Sequence, residues 1–69
     1  MANRINNEEE KLTNKQREVL TLVSRGYSNK QIAETLFVSL DTVKKHLYNS
    51  YKKLGAKNKI EALKKTGIM

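Results

Sequence analysis

A chain of 69 residues holds one small domain, because single cores weaken quickly below about 100 residues, so multidomain readings are excluded. Fourteen Lys and Arg against seven Asp and Glu give a net charge of +7, and with only 38% hydrophobic residues the core must be thin, so an acidic partner is expected. Cysteine is absent, which removes disulfide staples, thiolate nucleophiles and zinc fingers, and no stretch approaches the ~18 apolar residues of a membrane span; a cytoplasmic chain is expected.

Residues 1–11 are polar, with consecutive Glu8, Glu9 and Glu10 and an isolated Ile5, and read as a flexible arm or linker remnant ahead of a domain at 12–69. A first helix is predicted near 14–25. Thr13-x-x-Gln16 has capping-box form before it, Val19, Leu20, Leu22 and Val23 face inward, and Gly26 follows it. A second helix is predicted at 29–36, opened by Ser28-x-x-Gln31, with Ile32, Ala33 and Leu36 inward and Val38 in the turn beyond. Phe37 occupies that turn, and a bulky side chain disfavours positive φ, so the turn is predicted to avoid a left-handed residue.

A third helix is predicted at 40–54, capped by Ser39 and followed by Gly55. At about 100° per residue, Val43, Leu47, Ser50 and Leu54 form one narrow stripe, while Asp41, Lys44, Lys45, Tyr48 and Lys52 share the opposite face. Thr42, His46, Asn49 and Lys53 form a flank able to donate hydrogen bonds to phosphate oxygens. Tyr51 reads as a buried edge. A fourth helix is predicted at 59–66, from Asn58-x-x-Glu61 to Gly67, with Ile60, Ala62 and Leu63 inward. With no proline, short connections and no two-residue alternation, the class is all-α: a compact four-helix bundle.

Charge is unevenly placed. Residues 1–40 hold six basic and five acidic groups, whereas residues 41–69 hold eight and two, so contact with an acidic partner is expected in the C-terminal half. A basic helix mounted behind a short one by the turn Phe37-Val38-Ser39 is the arrangement that helix-turn-helix proteins lay in the major groove. His46 is the one histidine, and nothing around it supplies metal or catalytic partners; no cofactor or metal is expected.

Leu12-Thr13-x-Lys15-Gln16-x-Glu18-Val19-Leu20, Gly26-Tyr27-Ser28-Asn29-Lys30-Gln31-Ile32-Ala33 and Val38-Ser39-x-x-Thr42-Val43-Lys44-x-His46-x-x-Asn49, continuing to Lys53-Leu54-Gly55-Ala56-Lys57-Asn58-Lys59-x-Glu61-Ala62, resemble the LuxR-type helix-turn-helix domain over about 12–67. The resemblance implies a bacterial transcription regulator, not an enzyme, that binds double-stranded DNA at a palindromic or repeated operator as a homodimer. It implies base contacts by Lys44, Lys45 and Tyr48, and phosphate contacts by Asn29, Lys30, Ser39, Thr42, His46 and Asn49, to which Lys52 and Lys53 add charge. The fourth helix would form the dimer interface through Ile60, Leu63, Lys64 and Gly67, and RNA polymerase is a further candidate partner. Lys15, Gln16 and Lys59 stand where the family usually has Arg, Glu and Arg, so ion pairs made there in relatives are expected to be looser here. Competing readings are an RNA- or ribosome-binding bundle, which lacks the usual stacking aromatics, and a protein-interaction module.

Overall fold

The computed structural model describes residues 12–68; the expected arm at 1–11 lies outside the described residues. Among the described residues four helices follow one another: α1 (Asn14–Ser24), α2 (Asn29–Leu36), α3 (Leu40–Leu54) and α4 (Lys59–Thr66). Helix α3 packs against each of the other three, so the longest element is also the hub of the bundle.

The helix starts follow from local chemistry. Thr13 Oγ1 accepts from the Gln16 amide at 3.0 Å while Gln16 Oε1 accepts from the Thr13 amide at 3.0 Å. Ser28 and Gln31 repeat the exchange at 3.1 and 2.8 Å. Each box satisfies two amides that a helix start otherwise leaves open. The third expected box closes only by half. Asn58 Oδ1 accepts from the Glu61 amide at 3.0 Å, but the Glu61 carboxylate takes the amide of Lys57 at 2.9 Å instead of that of Asn58.

The core is Val19, Leu20, Leu22 and Val23 of α1, Ile32 and Ala33 of α2, Val43, Leu47 and Leu54 of α3, and Ala62 and Leu63 of α4, joined by Leu12 ahead of α1. Leu36, Val38 and Tyr51 pack partly buried against it. Ser50 is wholly buried within the α3 stripe because its hydroxyl donates to the His46 carbonyl at 2.6 Å, so the interior keeps no unpaired group there. Ile60, expected inward, is 48% exposed. It lies about 200° around α4 from Ala62, and the two-turn helix turns Ala62, Leu63 and Thr66 inward instead.

The turn between α2 and α3 also departs from expectation. Phe37 has φ 59° and ψ 44°, a left-handed residue where the sequence argued against one. The hydrogen bonds supply the reason. Val38 donates its amide to the Ala33 carbonyl at 3.0 Å, just as Tyr27 donates to Leu22 at 3.1 Å and Ala56 to Tyr51 at 2.9 Å. All three helix ends use the same left-handed reversal, at Gly26, Phe37 and Gly55. Glycine adopts it freely, whereas phenylalanine gives up about 1–2 kcal/mol. In return the reversal closes the carbonyl end of α2 and drops Val38 onto the core.

Candidate nucleic-acid interface

With Val43, Leu47, Ser50 and Leu54 turned inward, α3 leaves Asp41, Lys44, Lys45, Tyr48, Asn49, Lys52 and Lys53 exposed. Lys44 and Lys45 are exposed and make no salt bridge among the described residues. Tyr48 is 63% exposed, and the Lys52 ammonium lies 5.5 Å from its ring centroid, a cation–π contact between residues one turn apart. The three residues expected to meet bases, Lys44, Lys45 and Tyr48, are thus brought together on one solvent face.

At the start of α3, Ser39 Oγ accepts from the Thr42 amide at 3.0 Å and lies 2.8 Å from Thr42 Oγ1. One hydroxyl donates to the other, which leaves a single O–H of the pair directed elsewhere, beside the positive end of the helix dipole. Asn29 and Lys30 open α2, with Asn29 partly buried and Lys30 exposed. His46 is partly buried and Asn49 is exposed.

Two expected contacts already have protein partners. Lys52 sits on Tyr48, and Lys53 donates to Gln16 Oε1 at 3.1 Å. Sequence reasoning missed the second: Gln16 was fully explained by its capping box, and no local signal links positions 37 residues apart. Of the family-variant positions, Lys15 pairs instead with Glu18 at 3.2 Å on the exposed face of α1, and Lys59 is exposed. Tyr51, half-buried behind this face, has its hydroxyl pKa raised by desolvation and so stays neutral.

The residues expected at a dimer interface divide. Ile60, Lys64 and Gly67 are exposed, while Leu63 is buried in the monomer's own core. A groove of about 380 Å3 lies away from the basic face, between α1 and α2, lined among others by Arg17, Leu22, Arg25, Thr35 and Leu36. Among the described residues no group of three His, Cys, Asp or Glu side chains is placed to hold a metal, and no helix is long and apolar enough to cross a membrane.

Comparison with known proteins agrees with this geometry. The family of bacterial regulatory proteins called luxR, or GerE, matches residues 10–66. The CsgBAC operon transcriptional regulatory protein of Escherichia coli K12 is 46% identical over 52 residues, covering 75% of this chain and 24% of that protein. The oxygen regulatory protein NreC of Staphylococcus aureus is 48% identical over 58 residues, covering 78% of this chain and 27% of its own length. The chain therefore spans about a quarter of the length of the relatives it matches.

Proposed function

Because the chain belongs to the luxR family of bacterial regulatory proteins and is a DNA-binding domain of transcription regulation rather than an enzyme, we propose that it controls transcription in the bacterial cytoplasm by laying α3 in the major groove. The observation that carries this reading is the lysine-rich outer face of α3, with Lys44, Lys45 and Tyr48 free of the core. An α-helix fits the major groove, where lysine ammonium groups reach guanine O6 and N7 and a tyrosine ring can meet a thymine methyl. Asn29, Lys30, Ser39, Thr42, His46 and Asn49 flank that face and hold phosphates, with Lys52 and Lys53 adding charge.

Two copies bind together through α4. Its exposed Ile60, with Lys64 and Gly67 along the same helix and its end, supports this reading, while Leu63 underlies the surface as core. An isologous pair requires two half-sites related by symmetry or repetition. RNA polymerase is the partner proposed for the regulator bound at such a site. Sequencing the duplex fragments retained by the purified protein tests the whole reading. Enrichment of paired half-sites is expected; retention of fragments with no shared sequence would overturn it.

A further inference from the structure

Asp41 stands on the lysine-rich face proposed to meet DNA. Asp41, Lys44, Lys45 and Tyr48 are spaced i, i+3, i+4 and i+7, all four are exposed, and at about 100° per residue they share about 100° of arc on α3. An acid in that stripe opposes phosphates and weakens binding to every duplex.

Local structure does not account for it. Ser39 already caps the helix, its Oγ accepting from the Thr42 amide at 3.0 Å. Lys44 and Lys45 lie one turn on, at spacings suited to an ion pair, yet the Asp41 carboxylate makes no salt bridge and accepts no hydrogen bond among the described residues. The α3 dipole favours an acid anywhere in the first turn, and Leu40, 41% exposed, holds another such position off this stripe.

An ionised carboxylate only accepts hydrogen bonds, so it is suited to base edges that donate. In the major groove guanine presents two acceptors, thymine an acceptor and a methyl group, and cytosine its N4 amine. Adenine has an N6 amine as well, but the N7 acceptor beside it repels an acid. We infer that Asp41 is a specificity-determining residue, accepting from the N4 amine of a cytosine and rejecting sites that carry guanine or thymine there. The inference rests on α3 lying in the major groove as proposed above. Asp41 precedes Lys44 and Lys45 by about 4.5–6 Å of helix, and base pairs rise about 3.4 Å each, so the cytosine lies within about two base pairs of a guanine read by either lysine. The lysines attract any duplex, and the acid penalises the wrong ones.

Selection from a randomised duplex library, run in parallel with the parent, Asp41→Ala and Asp41→Asn, tests this. The parent motif should hold a cytosine whose preference over thymine falls about fivefold or more in Asp41→Ala. Asparagine pairs with adenine N6 and N7, so Asp41→Asn should replace that cytosine by adenine and leave the guanines of the motif in place. In anisotropy titrations Asp41→Ala should bind a scrambled duplex more tightly than the parent does. One motif common to all three proteins would overturn this inference and leave the DNA reading standing, as would weaker binding of the scrambled duplex by Asp41→Ala. Fragments with no shared sequence from the parent would overturn both.

Discussion

The ammonium of Lys53 donates to Gln16 Oε1 at 3.1 Å, tying the last turn of α3 to the first turn of α1. The same oxygen accepts the Thr13 amide, so one buried side chain closes a helix cap and anchors the C-terminal end of the proposed recognition helix. The C-terminal end of α3 is thus tied to a capping residue 37 positions earlier.

A double-mutant cycle in urea should show this coupling. Gln16→Ala is expected to cost about 1–2 kcal/mol, from the lost cap arm and a buried site left unfilled. Lys53→Ala should cost less, since its ammonium is partly in water, with a coupling of about 0.5–1 kcal/mol between the two. Strict additivity would show that the contact carries no energy.

Lys44→Ala and Lys45→Ala should each lower discrimination between the selected site and a scrambled duplex by ~1–3 kcal/mol. Lys52→Ala should weaken both duplexes alike and reduce the salt slope by about one. Fluorescence anisotropy titrations at several salt concentrations separate the two patterns, and equal losses on every sequence for all three variants would contradict the assignment.

On α4, neighbouring positions should behave oppositely. Ile60→Glu changes a half-exposed side chain and is expected to leave stability within about 0.5 kcal/mol while abolishing dimers. Leu63→Ala removes buried volume and should cost about 2–5 kcal/mol. Sedimentation equilibrium checks the first; unchanged dimerisation of Ile60→Glu would remove α4 from the interface.

Replacing Phe37 by glycine should stabilise the domain by about 0.5–1 kcal/mol, the relief of left-handed strain less the added freedom of the unfolded chain. For a chain of this size that is a rise of several degrees in Tm. Gly55→Ala, which imposes the same strain, should lower Tm. A Phe37→Gly variant that melts earlier would mean that the ring supports the fold.

Burial raises the Tyr51 hydroxyl pKa in the folded chain. Below the ordinary tyrosine value near 10 both states carry the proton, so the group leaves stability unchanged there. As pH climbs past that value the unfolded tyrosine ionises first and stability falls. Chemical denaturation of parent and Tyr51→Phe between pH 8 and about 11 should show a smaller alkaline loss in the variant; parallel curves would contradict the shift.

Short-range sequence patterns were enough to place the four helices of the described residues, nearly all of their boundaries, the inward stripe of α3 and its basic outer face. These are short-range properties. A cap bonds to an amide three residues away, and a helical face repeats within four, so adjacent residues encode them. Even so, Glu61 reached Lys57 rather than Asn58, because a flexible carboxylate chooses among nearby amides by loop geometry.

The remaining features depend on how the helices pack. The left-handed Phe37 follows from a reversal that brings Val38 to the core and α3 across α2, and residue propensity weighed against it. Ile60 faces outward because short α4 meets the bundle through Ala62, Leu63 and Thr66, an orientation set by its neighbours. The bond between Lys53 and Gln16 exists only once two distant helices pack. In each case the deciding energy comes from contacts between elements, which no window along the chain contains.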